Sequence, residues 1–382
     1  MLPSSVGRRC GIRTFICLRA SQNVSVNPTR PLKHRYASSD AKHAPKTIFS
    51  GIQPTGVPHL GNYLGALRQW VKLQNEAESD TTLLYSLVDL HAITIRQDPK
   101  VLRQWKRESM AMLIAIGLDP KRSIIFHQSD VPAHSELMWI LSCQASTGYL
   151  SRMTQWKDKT AGQRENSEKL KLGLFSYPVL QAADVLVHGT THVPVGHDQA
   201  QHLEFAREVA IGFNSVFGES ILVPPETLIS PAKRLMSLTD PTTKMSKSHP
   251  LSKSRISLTD SDEDIMMKIR SAVTDSEYKF SYDPEKRPGV SNLFEIMYYL
   301  QDTKDSRSIE DLARELQGET MPSFKVRVRE GIQLALRPIR ERYEQVMADP
   351  KMLDDVAQDG AQRAAQNAAL TLRNVKTAVG LL

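Results

Sequence analysis

The chain has 382 residues, 40% of them hydrophobic and 24% charged, a length that suggests roughly two to three ordinary domains. Collagen, coiled-coil rods and wholesale disorder are excluded by this composition. No window approaches the roughly 18 uninterrupted apolar residues of a membrane span, so no membrane role is expected. The formal charge of +7 is localised: residues 1–39 hold Arg8, Arg9, Arg13, Arg19, Arg30, Lys33 and Arg35 and no acid, leaving 42 basic against 42 acidic residues beyond them. Net charge therefore gives no ground for a polyanion partner, which would have to be held by a local patch.

Residues 1–40 are Arg-rich and Ser-rich, with Ile12, Phe15, Ile16 and Leu18 interleaved among the arginines. This is the composition of a disordered organellar transit peptide, with a mitochondrial-matrix destination expected over a plastid and cleavage near Arg35-Tyr36-Ala37. The apolar stretch Phe15–Leu18 is too short for a secretory signal. A basic arm that stays attached and touches RNA is the bland alternative. Cys10 and Cys17 would leave with the segment, and Cys143 alone can build neither a disulfide framework nor a zinc quartet.

The text then changes character. A short apolar strand over residues 46–50 runs into a Gly/Pro-rich turn over residues 51–58, followed by a helical pattern through Leu64, Leu67 and Val71. Further strands are predicted over residues 82–88, 123–127 and 191–195, separated by helical windows at 102–116, 135–144 and 199–211. Short apolar strands alternating with helices argue for a parallel α/β sheet. After about Leu238 the pattern gives only helices, over residues 262–271, 293–301, 309–316, 324–347 and 353–379, with Pro350 between the last two. The expected organisation is an α/β domain with a helical insertion over residues 41–240, a polar loop and helical module over 241–350, and a C-terminal helix over 351–382 that packs back on the first domain.

Two short motifs carry the chemistry. His59-Leu60-Gly61-Asn62 sits where the first turn becomes a helix, and Lys244-Met245-Ser246-Lys247-Ser248 lies in the polar stretch where the α/β part gives way to helices. A chance match to the second is on the order of a few in ten thousand for a chain this long. An α-phosphate of ATP under attack by a carboxylate gathers negative charge, and donors aimed at that charge lower the barrier. His59 at a helix N-terminus can donate from its ring while the helix dipole adds favourable potential. Gly61 leaves room for a flat base or ribose, and Asn62 supplies a neutral donor. Lys244 and Lys247 can reach the β- and γ-phosphates together as the transition state forms. Taken singly, the lysines read as a solvated basic loop and His59 as a helix cap; jointly those readings lose. No G-x-x-x-x-G-K-[ST] sequence is present, so a P-loop is excluded in its usual form.

On these motifs, and on the blocks "TIFSGIQPTGVPHLGNYLGALRQW" (residues 47–70), "VDLHAIT" (88–94), "MTQWKDK" (153–159), "SYPVLQAADVL" (176–186), "VPVGHDQAQH" (193–202), "DPTTKMSKS" (240–248) and "SAVTDS" (271–276), the sequence resembles the class I aminoacyl-tRNA synthetases, in their tryptophanyl branch of bacterial and organellar type. The resemblance implies a Rossmann-like catalytic domain followed by an all-α anticodon-binding domain, and a homodimer. It implies ATP with Mg2+ as substrate and no protein-bound metal or organic cofactor. The implied activity is ATP-dependent activation of L-tryptophan, then transfer to tRNA(Trp). Gln53, Pro54, Thr55, Gly61 and Asn62 would lie around ATP, with Gly196, His197 and Asp198 at the ribose, Leu235 at the adenine, and Lys159, Lys244, Met245, Ser246, Lys247 and Ser248 toward the triphosphate. His59, Asn62, Lys159, Lys244 and Lys247 would assist catalysis. For the amino acid, Asp184 is the implied acceptor of the indole N–H, with Phe49, His91, Val193 and Val195 as walls, and Tyr177, Gln181 and Gln199 holding the ammonium and carboxylate. An unpaired indole N–H would forfeit roughly 1–3 kcal/mol, which is the physical need for such an acceptor.

Two residues depart from the pattern: His197 stands where the family usually shows Glu or Asn, and Gln181 where many bacterial members have Met. His127, His134, His188 and His192 form no ligand spacing and read as structural or solvated. The rival readings are a tyrosyl-type synthetase and a non-catalytic RNA-binding descendant of the fold.

Overall fold

The computed structural model describes residues 45–160, 171–196, 199–218, 220–229, 234–247, 249–277, 279–301 and 308–382. The expected transit segment and the expected site residues His197, Asp198 and Ser248 lie outside the described residues. Lys159 is described only as backbone of the helix Thr154–Thr160.

Five parallel strands form one sheet: β1 Thr47–Ile52, β2 Thr82–Leu87, β3 Ile124–His127, β4 His192–Val195 and β5 Glu226–Ile229, in the order β3-β2-β1-β4-β5. Alternation along the strands sends successive side chains to opposite faces. Ile48, Leu83, Tyr85 and Ile125 enter one core, while Phe49, Leu84, Ile124 and Phe126 enter the other. Buried on both faces, such strands read as continuous apolar runs, which is why four of the five were visible in the sequence. β5 was not expected, because its four residues include Glu226 and Thr227 and it lies at the sheet edge.

Helices cover both faces, as parallel strands require. Pro99–Ala115 starts at Asp98, whose carboxylate accepts from Lys100 N (2.8 Å) and Val101 N (3.1 Å), with Pro99 set for the first turn. Besides the short helices Asp89–Ala92, Thr147–Arg152 and Thr154–Thr160, one long helix was not foreseen: Leu172–Leu186, which carries Asp184 and has Pro178 within it. Proline ordinarily marks a helix boundary, but here burial of Leu174, Val179, Leu180, Ala182, Ala183, Val185 and Leu186 overrides the local signal.

The long helices Met321–Met347 and Pro350–Ala378 close the chain. The last runs against β3, the other edge of the sheet, and so covers an edge that would otherwise expose unpaired backbone. Leu353 joins the first core, whereas Ala364, Ala368 and Val375 join the second. The approach depends on a missing side chain: a Cβ at Gly360 would stand 1.8 Å from the carbonyl oxygen of Ile125.

Candidate active site

In sheets of this kind ligands bind beyond the carboxyl ends of the strands, where the strand order reverses. That point lies between β1 and β4, and a cavity of about 270 Å3 opens there, at the small end of ligand clefts of roughly 300–1,000 Å3. All eight residues expected to hold the amino acid line it: Phe49, His91, Tyr177, Gln181, Asp184, Val193, Val195 and Gln199. Gln53 lines it too, at the mouth where β1 ends. Ser50 Oγ donates to Pro194 O (2.9 Å), tying β1 to β4 at the cavity.

Asp184 is the electrostatic centre. It is 1% exposed, yet its oxygens accept from Gln128 Nε2 (2.6 Å), His134 Nδ1 (2.8 Å) and His91 Nε2 (2.8 Å). Burial alone would raise its pKa, but the hydrogen bonds from His134 and His91 prevail and hold the carboxyl below the usual range. The result is a buried, ionised acceptor in a cavity lined by both apolar and polar side chains.

Gln128 was missed by sequence reasoning. It is fully buried at the end of β3, its Oε1 accepts from Leu90 N (3.1 Å), and its amide nitrogen is thereby turned toward Asp184. Leu90 and His91 belong to a short helix, Asp89–Ala92, held in place by Asp89. That carboxylate accepts from Ser129 N (2.9 Å) and Ser129 Oγ (2.6 Å) and pairs with Lys106 at 2.6 Å. A lone Gln after a strand carries no sequence signal for such a bridge. His134 and His188 are buried rather than solvated, and both belong to the network behind Asp184.

Tyr177 O–H donates to Gln155 Oε1 (2.8 Å) and lies 3.1 Å from His202 Nε2, while Gln181 Nε2 donates to Gln199 Oε1 (3.3 Å). These amide and phenol groups form the polar side of the cavity.

The two signature motifs meet, with Lys244 and Lys247 close enough to His59 to act on its charge. His59 caps its helix reciprocally: Asn62 N donates to His59 Nδ1 (3.2 Å), and His59 N donates to Asn62 Oδ1 (3.1 Å). Because Nδ1 accepts, the ring proton stays on Nε2. Burial, then the charges of Lys247, Lys244 and Arg255, push the pKa of His59 down to about 3, so the imidazole is a neutral donor. A Cβ at Gly61 would stand 3.0 Å from the His59 ring, so glycine here makes room for the imidazole, a reason that the motif by itself does not disclose.

Lys247 Nζ donates to Gly56 O at 2.8 Å across 191 residues, joining the late lysine motif to the first glycine turn. Its pKa is lowered to about 8 by burial and then by Arg255. Lys244 is exposed, Met245 is buried, and the stretch is folded back on Leu235–Ser237 by Met245 N to Leu235 O (3.0 Å) and Ser237 N to Thr243 O (2.8 Å). Asn292, also missed, clamps Met236 from both sides, accepting from its N (2.9 Å) and donating to its O (3.0 Å). Arg255 is a third cation here that no motif flagged.

The structure thus holds an ionised acceptor in a small cavity at the switch point, and a neutral imidazole donor with a cluster of cations where the two signature motifs meet. The sequence from residue 41 to 337 matches the family described as tRNA synthetases class I (W and Y). The chain belongs to that family. It is 42% identical to the mitochondrial tryptophan–tRNA ligase of Schizosaccharomyces pombe, over 87% of this chain and 95% of that protein. Identity to the Saccharomyces cerevisiae mitochondrial tryptophan–tRNA ligase is also 42%, over 90% and 93%. Among solved structures, Mycoplasma pneumoniae tryptophanyl-tRNA synthetase superposes with a TM-score of 0.77 at 33% identity, covering 88% of this chain and 98% of that one. The Campylobacter jejuni enzyme complexed with ADP and tryptophan superposes with a TM-score of 0.71 at 32% identity, covering 87% and 99%. Members of this synthetase family share the parallel sheet with a helical region after it, as found here.

Proposed function

We infer that the chain is a tryptophan-specific class I synthetase: it condenses L-tryptophan with ATP to the aminoacyl-adenylate and pyrophosphate, then passes the acyl group to tRNA(Trp). The reading rests above all on one observation, the convergence of eight residues from separate segments on a single cavity centred on a buried, ionised Asp184.

In the first step a carboxylate oxygen of tryptophan attacks the α-phosphorus of ATP, and the bond to the bridging oxygen of pyrophosphate breaks. The attacking carboxylate is already ionised at neutral pH, so no side-chain base is needed. Positioning and electrostatics carry the rate. Asp184 accepts the indole N–H between the walls Phe49, His91, Val193 and Val195, while Tyr177, Gln181 and Gln199 orient the ammonium and carboxylate. His59 donates from Nε2 and Asn62 from its amide. Lys244 and Lys247 neutralise the leaving pyrophosphate, with Mg2+ arriving as part of the nucleotide substrate. Gln53, Pro54, Thr55, Gly61, Gly196, His197, Asp198, Leu235, Met245, Ser246 and Ser248 surround ATP, and Lys159 assists at the triphosphate.

In the second step the acyl group moves to the terminal adenosine of the tRNA and AMP leaves. The helical region between residues 241 and 350 carries the anticodon surface, the enzyme works as a homodimer, and residues 1–40 direct it to the mitochondrial matrix. Tryptophan-dependent exchange of labelled pyrophosphate into ATP tests the core of this reading. Exchange with tryptophan and none with tyrosine is expected; exchange driven by tyrosine, or by neither amino acid, would overturn it.

A further inference from the structure

Asp184 is fixed not only from the cavity side but also from behind, by a chain of side chains that ends on the C-terminal helix. His134, fully buried, places Nδ1 2.8 Å from Asp184 Oδ1 and Nε2 3.3 Å from Nε2 of His188. His188, 3% exposed, places Nδ1 2.8 Å from Oδ1 of Asn367, 179 residues along the chain. Aromatic neighbours hold both imidazoles: His188 stacks on Phe49 with centroids 5.6 Å apart and planes 21° apart, and His134 lies 5.8 Å from Phe126. Asn367 sits between Ala364 and Ala368, whose small side chains are fully buried and let the helix come close.

The hydrogens in this chain can be assigned by elimination. Burial, then the neighbouring His134, pushes the pKa of His188 down to about 3, so its ring is neutral and carries one N–H. The Asn367 oxygen can only accept, which places that hydrogen on Nδ1 of His188 and leaves Nε2 as an acceptor. Nδ1 of His134 faces the carboxylate, which can only accept, and so donates to it, while Nε2 of the same ring is held against Nε2 of His188. Both nitrogens of His134 are directed, and the ring has one orientation. A carboxylate has about four acceptor positions. Gln128, His134 and His91 fill three of them, leaving one for a ligand donor.

We propose that His134, His188 and Asn367 are positioning residues through which the C-terminal helix sets the aim of Asp184, and hence the preference of the pocket for a side chain bearing a ring N–H. The proposal rests on the reading of Asp184 as the indole acceptor.

The test uses the full chain and compares pyrophosphate exchange with tryptophan and with its benzothienyl analogue, in which sulfur replaces the ring N–H. The preference is the ratio of the two kcat/KM values. Asn367→Leu should lower that preference about three- to tenfold, the worth of one hydrogen bond, and leave KM for ATP unchanged. Asn367→Asp, whose carboxylate accepts from the same N–H, should keep the preference within about twofold. His188→Phe, which retains the ring packing, should behave like Asn367→Leu and serves if that variant fails to fold. A merely structural defect would weaken both amino acids alike. Loss of preference in Asn367→Asp as well as Asn367→Leu would overturn the assigned acceptor role. If Asp184→Ala abolishes the preference while Asn367→Leu and His188→Phe keep it, the positioning chain is refuted and the pocket reading survives. If Asp184→Ala itself keeps the preference, the pocket reading fails and the proposal fails with it.

Discussion

The cavity around Asp184 and the meeting point of the two signature motifs are built on opposite principles. In the cavity proposed for the amino acid a charged group is withdrawn from water and surrounded: Asp184 is 1% exposed and accepts three hydrogen bonds from the protein itself. Where ATP is proposed to bind, the cations stand nearer solvent, Lys244 exposed and Lys247 half-buried with its amine on the Gly56 carbonyl. A site that must discriminate one side chain gains from a rigid, desolvated acceptor, because an analogue lacking the matching donor leaves it unpaired. A site that must stabilise charge appearing only during reaction gains from donors that strengthen their contacts at that moment.

This contrast can be broken at either place. The largest effect is expected from Lys247→Ala, which should reduce kcat of pyrophosphate exchange by about 10²–10³-fold, as removal of a transition-state donor typically does. KM for tryptophan should change little, and an equal loss in both parameters in steady-state kinetics would remove the distinction. Asp184→Ala should act the other way, raising KM for tryptophan by about 5- to 150-fold, equivalent to roughly 1–3 kcal/mol, with KM for ATP preserved.

A pH profile sharpens the comparison further. Lys247, with a pKa lowered to about 8, is mostly a cation at neutral pH and loses its charge as pH rises through that value. The profile of kcat/KM for ATP should therefore be level below it and decline roughly tenfold per unit above it. Lys247→Arg should move the decline to higher pH. His59, at about 3, is neutral throughout the ordinary range and should add no inflection there. The smallest effect is expected from Ser50→Ala, which removes the bond to Pro194 O. It should lower stability in urea titration by ~1 kcal/mol while leaving kcat near its original value.

Much of this architecture could be read from the chain. β1 to β4 announced themselves as apolar runs because both faces of the sheet are covered, and the helix caps at Asp98 and Ser261 follow local rules. β5 escaped because a four-residue edge strand has too little periodicity, and Leu172–Leu186 because Pro178 is locally a helix breaker. Around the cavity and the two signature motifs, residues inside recognisable blocks drew attention, whereas Gln128, Asn292 and Arg255 did not. Each is an ordinary polar residue whose role comes from a partner distant in sequence, such as the 56 residues between Gln128 and Asp184 or between Asn292 and Met236.

What the amino-acid order alone determined was local and periodic: strands, most helices, and two motifs whose residue types suit phosphate chemistry. Only folding decided that His59 would be neutral, that Lys247 would rest on Gly56, and that Asp184 would remain ionised in the interior. These properties depend on burial and on donors brought from far along the chain. Desolvation and hydrogen bonding act over a few ångströms of space, and sequence separation does not report such distances.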